Sequence, residues 1–202
     1  MTTPMNLSAR MARALLCAAV AALLPGCAAD TEPAGKQVPA PQTPVAAAPA
    51  ALTVGTPAPP LEVQAWLAGE PVTEYSPRRV YLVEFFATFS GPCIESLPRL
   101  NRIRRDEKEV VVIAVAASEP APGAGEPDER RSRLESFIQQ HADEMDYRVA
   151  YDGSKTSWTR WVRAAGRSEV PTVFIIGRDG RIAWVGHPDD MERPLAAAIR
   201  RR

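Results

Sequence analysis

The sequence predicts a three-layer α/β domain, in which helices cover both faces of a mixed β-sheet. Two near-continuous apolar runs, Val80–Phe86 and Val110–Ala117, are rich in β-branched or aromatic residues and indicate strands buried on both faces. Helical segments with one apolar face alternate with these strands. Near the end of the chain, Asp179-Gly180 separates two apolar runs, which is typical of a β-hairpin. The 202 residues, 46% of them apolar, suffice for one domain of ordinary size with additional segments.

The elements follow from local patterns in chain order. Pro98 is expected to kink the helix that contains it, because proline lacks an N–H and crowds the preceding turn. Gly166 and the aspartates at 189 and 190 are residues that end and cap helices. The expected elements are a short strand at Leu61–Trp66, the strand Val80–Phe86, a helix from Ser90 to about Glu107, the strand Val110–Ala117, a loop at Glu119–Asp128, a helix at Arg130–His141, a strand at Tyr147–Tyr151, a helix at Thr156–Ala165, hairpin strands at Val173–Ile176 and Arg181–Val185, and a last helix capped by Asp189 or Asp190.

Charge and cysteine content exclude several classes of function. The 24 Lys and Arg residues balance the 24 Asp and Glu residues, so we expect no nucleic-acid partner. Three cysteines and two histidines are too few for a disulfide scaffold, and they show no metal-ligand spacing. We therefore expect neither a metal nor another cofactor.

Residues 1–27 are predicted to be a lipoprotein signal peptide. Arg10 and Arg13 form a positive region before the short apolar run Ala14–Leu24, which is too short to span a bilayer. The sequence Leu24-Pro25-Gly26-Cys27 resembles a bacterial lipobox, in which the cysteine is acylated. An ordinary cleaved signal peptide with an incidental cysteine is the alternative. The prediction is a protein of the cell envelope that faces the periplasm and is held to the membrane by lipid on Cys27.

Residues 28–51 are predicted to be a disordered tether. They contain nine alanines and five prolines and lack aromatic residues, so they cannot bury enough apolar surface to fold. The folded domain is expected to span residues 52–202 and to be a monomer.

Two separated motifs carry a family resemblance. The segment 84–93 (EFFATFSGPC), followed by Pro98, resembles the strand, active site and helix of thioredoxin-fold proteins. Val170-Pro171-Thr172, followed by an apolar strand, resembles the cis-proline strand of the same fold. The N-terminal extension, an insertion around residues 117–150 and the signal peptide are similar to those of extracytoplasmic TlpA/ResA-like redoxins. The resemblance covers residues 52–202 and implies a thioredoxin-like fold.

The sequence departs from this family at the position that matters most for its chemistry. The resemblance implies thiol–disulfide exchange by a CxxC pair at a helix N-terminus. Here Ser90 replaces the attacking cysteine, and a hydroxyl cannot replace a thiolate in that exchange. Cys93 remains, but a dithiol cycle within one chain is excluded.

Glu84 and Ser90 each have two interpretations. The resemblance implies that Glu84 is a buried acid that relays the proton of the second cysteine; alternatively it is a strand residue paired to a Lys or Arg. Ser90 is interpreted mainly as a helix N-cap, a role that would still allow a hydrogen bond to Cys93.

Three further residues are expected to lie around the thiol. The resemblance implies that Pro171 is a cis-proline facing the active site and that the Val170 backbone pairs with bound peptide; a trans proline at an edge strand is the alternative. The hairpin should return His187 to the same end of the sheet, where it could assist a thiolate or simply be a solvated cap. His141 is expected to be structural, and Trp158, Trp161 and Trp184 are expected to pack in or around the core.

Three functions are compatible with the sequence. The first is a membrane-tethered monothiol redoxin, in which Cys93 forms mixed disulfides with an extracytoplasmic protein or a small thiol. The second is a thiol peroxidase, because Ser90-Gly-Pro-Cys93 resembles the SxxC arrangement of peroxiredoxins, although Phe86 stands where their proline is usual. The third is a redox-silent lipoprotein that keeps the cis-proline groove for an extended peptide.

Overall fold

A computed structural model describes residues 51–117 and 127–201. The predicted signal peptide, residues 28–50 of the predicted tether and most of the loop expected at Glu119–Asp128 lie outside the described residues. Across the described ranges, no helix has the length and apolar character that crossing a membrane requires.

The described residues form a mixed six-stranded sheet, as predicted. Its strands are β1 (Ala65–Ala68), β2 (Val80–Phe86), β3 (Val110–Ala116), β4 (Arg148–Tyr151), β5 (Thr172–Ile176) and β6 (Ile182–Gly186). Their spatial order is β1-β4-β3-β2-β5-β6. Strands β2, β3 and β4 are parallel, whereas β1, β5 and β6 pair antiparallel to their neighbours. Because β2 is central and every one of its residues is buried, its carboxyl end is a rigid base for the segment that follows it.

Helices cover both faces of this sheet. They are α1 (Gly91–Asp106), α2 (Pro127–Gln140), α3 (Thr156–Trp158), which continues as a π-helical turn at Thr159–Arg163, a 3₁₀ turn at Pro188–Asp190, and α4 (Glu192–Arg200). Pro98 lies inside α1, which nevertheless continues to Asp106. Gly166 ends the third helical segment with a positive φ of 69°, a conformation that glycine adopts without steric cost.

The alternation of side chains along β2 divides the core in two. Leu82 and Phe86 pack with apolar residues of α1, α2 and α4. Val83 and Phe85 pack on the opposite face with Trp158, Trp161, Val162, Phe174 and Ile176. Successive strand residues point to opposite faces. Glu84 therefore shares its face with Leu82 and Phe86, beneath α1.

The first strand and the cap of the last helix differ from the sequence-based prediction. The first strand begins at Ala65 and not at Leu61, because its antiparallel partner β4 ends at Tyr151, opposite Ala65. The expected aspartate cap on α4 is wrong: Met191 is the N-cap residue and makes no side-chain cap. Asp189 instead accepts a hydrogen bond from Arg99 at 3.0 Å, because the 3₁₀ turn separates it from the helix.

Candidate functional site

The candidate site lies where the central strand ends and α1 begins. Residues 87–90 connect Phe86 to Gly91, so the segment follows the carboxyl ends of the parallel strands β2 and β3. In open α/β sheets this edge is where ligands and reactive groups gather. The sequence predicted this arrangement from the buried run 80–86 and the Ser-Gly-Pro-Cys segment.

Cys93 is the third residue of α1 and is 0% exposed. It is the one cysteine within the described ranges. Its side chain belongs to the same core cluster as Phe86 and Leu97, and its N–H donates to the Ser90 carbonyl at 3.0 Å. The first turn of a helix favours a negatively charged sulfur, because unpaired N–H groups and the helix dipole point toward it. Because the sulfur is buried, a partner can reach it only when the residues that cover it move.

Ser90 is the N-cap residue of α1 by backbone position, with φ −89° and ψ 113°. Its carbonyl accepts hydrogen bonds from Cys93 N and Ile94 N. Ser90 is therefore the N-cap residue, as predicted, but its hydroxyl makes no cap hydrogen bond. Pro92 in the first turn lacks an N–H that would need capping, which lowers the demand for a side-chain cap. Ser90 is partly exposed, so its side chain lies at the surface above the buried Cys93.

Glu84 is 0% exposed and points from β2 toward α1. Its Oε1 lies 2.7 Å from the Ser96 hydroxyl. Its Oε2 has no hydrogen-bond partner in the described part of the chain. The alternative prediction, an ion pair to Lys or Arg, is therefore wrong. Burial without a cation raises the pKa of Glu84 from 4.5 to about 8, and the Ser96 hydrogen bond opposes that increase.

The hydrogen bonds around Ser96 indicate the protonation state of Glu84. The Ser96 hydroxyl oxygen is 2.7 Å from Glu84 Oε1 and also 2.7 Å from the Cys93 carbonyl oxygen. A serine hydroxyl has one proton and can donate to one of these acceptors at a time. Both contacts are satisfied together when Glu84 is protonated and donates to Ser96, which then donates to Cys93. The geometry and the raised pKa of Glu84 thus agree on a neutral carboxyl group.

Tyr147 is a further buried residue near Glu84, and it adds no charge to the surroundings of that carboxyl group. Its hydroxyl is buried and has no hydrogen-bond partner in the described ranges. Burial raises the pKa of Tyr147, and at the alkaline pH where a phenol would ionise the negative charges of Glu84 and Glu144 raise it further. The phenol therefore keeps its proton and places no cation or anion against Glu84.

The Val170–Pro171 peptide bond is cis, and Pro171 is buried. The residue after it, Thr172, has Phe85 of β2 as its Cα partner. Pro171 therefore lies level with the end of β2, beside the segment that leads to Ser90. Val170 is partly buried and packs against both core clusters. Whether the Val170 backbone binds peptide stays a prediction.

His187 lies directly after β6, at the same edge of the sheet. The residue before it, Gly186, pairs with Val173 of β5, which pairs with Glu84 of β2. The His187 side chain is 44% exposed, and its Nδ1 lies 3.3 Å from the Asp189 amide and the Asp189 carboxylate. Arg99 of α1 holds this turn by donating to the Pro188 carbonyl at 2.9 Å. These contacts describe a solvated histidine that caps the 3₁₀ turn, and its catalytic role stays a prediction.

An open groove lies beside the candidate site. Its volume is about 420 Å³, and Phe89 forms one wall while Phe137 and polar residues of α2 form the other. Phe89 is 60% exposed, unusual for a large apolar side chain. Phe89 is the third aromatic residue of the segment 84–93 that carries the family resemblance.

The remaining predicted residues have structural positions. His141 stacks on Phe137 with ring centroids 4.4 Å apart and lies 3.1 Å from Glu144. Trp158 and Trp161 are buried in the core, and Trp184 packs at its rim, as predicted.

Sequence reasoning missed Ser96, Tyr147 and Arg99. Ser96 could have been found, because it is a small polar residue one helical turn after Cys93, on the apolar face of α1. Tyr147 carries no such signal, because it reaches Glu84 only through the packing of a distant segment. No group of three or more His, Cys, Asp or Glu side chains that could hold a metal occurs in residues 51–117 and 127–201.

The fold and the strand–SGPC–helix segment define a thioredoxin-like protein. Solved structures agree at the level of the fold. A thiol-disulfide isomerase from Corynebacterium glutamicum matches with a TM-score of 0.54 at 21% identity over 71% of this chain and 97% of that one. A secreted Mycobacterium tuberculosis disulfide oxidoreductase matches with a TM-score of 0.52 at 14% identity, covering 67% of this chain and 95% of that one.

Sequence comparison identifies the family. The Redoxin family model matches residues 53–199, so the chain belongs to the redoxin family. Protein FixW of Rhizobium leguminosarum is 34% identical over 137 residues, which are 67% of this chain and 61% of that protein. The chain thus spans about three fifths of the length of this curated relative.

Proposed function

We propose that this redoxin acts through one thiol, Cys93, which forms mixed disulfides with a partner protein or a small thiol. The observation that carries the proposal is Glu84. A core position holds a carboxyl group that no cation neutralises, at a site where an apolar residue would be more stable. Strongly perturbed titratable groups concentrate at functional sites. Here the perturbed group lies beneath the helical turn that holds Cys93, the one cysteine of residues 52–202.

The chemistry needs a second thiol from outside the chain. Cys93 gives up its proton to Glu84, when that carboxyl is ionised, or to water. The sulfur attacks one sulfur of the partner disulfide, a new S–S bond forms, and the other partner sulfur leaves as a thiolate. A thiol of the partner, or a small thiol, then attacks the mixed disulfide, becomes oxidised, and releases Cys93 as a thiolate. Ser90 cannot perform this second step.

Covalent trapping tests the proposal. Full-length protein in cell-envelope extract under mild oxidation should yield a partner adduct on a non-reducing gel, which disappears on reduction. The Cys93→Ala variant should yield none, while Ser90→Ala should still trap, because the hydroxyl takes no part in the bond. An adduct that survives in Cys93→Ala and is lost in Cys27→Ala would overturn the proposal.

A second candidate function is redox-silent binding of an extended peptide beside Pro171. The complete burial of Cys93 favours it, because a sulfur without access to solvent needs local opening before it reacts. On this interpretation Cys93→Ser leaves partner binding unchanged, and Val170→Pro, which removes a backbone N–H, weakens it. A thiol peroxidase finds no such support, because Phe86 stands where the proline of the peroxiredoxin motif is usual.

We further propose that the domain works in the cell envelope on a lipid anchor at Cys27. Support comes from the lipobox-like residues 24–27 and from the likeness to a mycobacterial protein described as secreted. Labelled fatty acid should be incorporated into the wild-type chain and not into Cys27→Ala. Equal labelling of both would contradict the proposal.

A further inference from the structure

A basic cavity lies at the end of the sheet opposite Ser90. Its volume is about 560 Å³, and it is lined by the first residues of β3, Val110 and Val111, and by Arg79, which directly precedes β2. We call it the amino-end cavity. Since β2 has seven residues at about 3.3 Å each, roughly 20 Å separates this cavity from the candidate site. It is therefore distinct from the site of Cys93.

Four cationic side chains line the amino-end cavity: Arg79, Arg104, Lys108 and Arg148. Two of the guanidinium groups are oriented by backbone carbonyls. Arg79 donates to the carbonyl of Lys108, and Arg148 Nε donates to the carbonyl of Glu70 at 3.0 Å. Carbonyl oxygens fix the direction of a guanidinium group but leave its net charge uncompensated.

Carboxylates compensate this positive charge only in part. Glu74 lines the cavity, and Asp146 pairs with Arg104 at 3.1 Å. Glu109 follows Lys108 in the chain, but it does not line the cavity and is bound by Arg178. Among the side chains that line the cavity and their ion-pair partner Asp146, two positive charges therefore remain in excess.

We propose that the amino-end cavity binds a phosphate group. A phosphate carries up to two negative charges and three acceptor oxygens, which suits cations that converge from several segments. Arginine guanidinium groups match the geometry of phosphate oxygens, and lysine adds a point charge. The hydroxyl groups of Thr73 and Ser76, also in the lining, are additional donors. A ligand with a single carboxylate would pair with one of these cations and would leave the remaining positive charge uncompensated.

A lipid headgroup and a soluble phosphate compound offer the same chemistry, and two binding assays distinguish them. In the first, full-length protein is titrated with inorganic pyrophosphate at low salt and followed by calorimetry. In the second, it is mixed with phosphatidylcholine vesicles with and without phosphatidylglycerol. The proposed lipid on Cys27 would anchor the protein to both vesicle types. The difference in binding between the two vesicle types therefore reports binding to the anionic headgroup.

Paired variants give the test its control. Arg79→Ala/Lys108→Ala removes two cations from the amino-end cavity, whereas Arg163→Ala/Arg200→Ala removes two exposed cations that do not line it. The proposal predicts that the first pair weakens binding of pyrophosphate or of anionic vesicles by on the order of tenfold or more, and the second by less than about twofold. Binding should also weaken with added salt.

The source of the phosphate follows from which assay responds. Loss of pyrophosphate binding alone indicates a soluble ligand, and loss of anionic-vesicle binding alone indicates a headgroup. The proposal is overturned if the wild type binds neither probe. It is also overturned if both variant pairs reduce binding equally, since that would show a general charge effect.

Discussion

Replacing Glu84 by glutamine should make stability nearly independent of pH in the range where the wild type loses it. Glutamine has the shape of a protonated glutamate and can still donate to Ser96. It cannot ionise in the core. The wild-type carboxyl group, by contrast, holds its proton in the folded state, where burial raises its pKa to about 8, and loses it near 4.5 when the chain unfolds.

The sign and size of the effect follow from these two values. Below pH 4.5 both states are protonated and the group contributes no pH dependence. As pH rises toward 8 the unfolded chain has released its proton and the folded chain has not, so the free energy of unfolding falls. At about 1.4 kcal/mol per pKa unit, the fall amounts to about 3 kcal/mol by pH 7 and about 5 kcal/mol once pH exceeds the folded pKa of about 8. Domains of this kind have total stabilities of about 5–15 kcal/mol, so the effect is readily measured.

Urea unfolding of both proteins between about pH 4.5 and pH 9 measures this difference. We expect the two stabilities to agree within about 1 kcal/mol at the acid end and to diverge steadily as pH rises. Glu95→Gln, which changes an exposed carboxyl group of α1, is the matched control and should follow the wild type. Parallel stability curves for the wild type and Glu84→Gln would contradict this prediction, because they would mean that Glu84 has the same pKa in the folded and the unfolded chain.

Four other substitutions test separate parts of the structure. Ser96→Ala should destabilise the protein by about 1–3 kcal/mol at neutral pH, since it leaves the buried carboxyl unpartnered; its effect should not add to that of Glu84→Gln in denaturant titrations. Asp152→Ala should cost about 2 kcal/mol, because Asp152 Oδ2 and Oδ1 accept the N–H groups of Trp158 and Thr156 at 2.8 and 3.0 Å; a change under about 0.5 kcal/mol in the same assay would contradict this. Trp161→Ala should cost about 3–5 kcal/mol, because Trp161 is 0% exposed, and an unchanged melting temperature would be inconsistent with that packing. Ser90→Cys should restore a dithiol that closes a disulfide with position 93 and reduces insulin, whereas a variant that stays fully reduced under oxidation would argue against the geometry.

The fold could be predicted from sequence because its strongest signals are local. The run Val80–Phe86 matches β2 residue for residue, and the turn at Asp179-Gly180 joins β5 to β6. Val110–Ala117 exceeds β3 by one residue. Each of these elements is identified by its own apolar pattern or turn residues, so no long-range information was needed. The first strand was misplaced, because its start depends on where its partner β4 ends.

The candidate site could be predicted only in part. The sequence identified Cys93 and Glu84, because both occur in a recognisable motif. Ser96 is recognisable as a polar residue on the apolar face of α1, but the sequence does not show that Ser96, and not a basic residue, is the partner of Glu84 until α1 is packed on the sheet. The unused hydroxyl of Ser90 and the pairing of Asp189 with Arg99 likewise depend on the final packing of side chains.

The proposed function requires that Cys93 of the folded protein forms a mixed disulfide. The most direct measurement is incubation of native full-length protein with glutathione disulfide, followed by peptide mass spectrometry that assigns any attached glutathione to a cysteine. We expect one glutathionyl group on Cys93 under native conditions, removed by reduction and absent in Cys93→Ala. Modification of Cys93 only after unfolding in urea would contradict the proposed function and would favour a redox-silent binding protein.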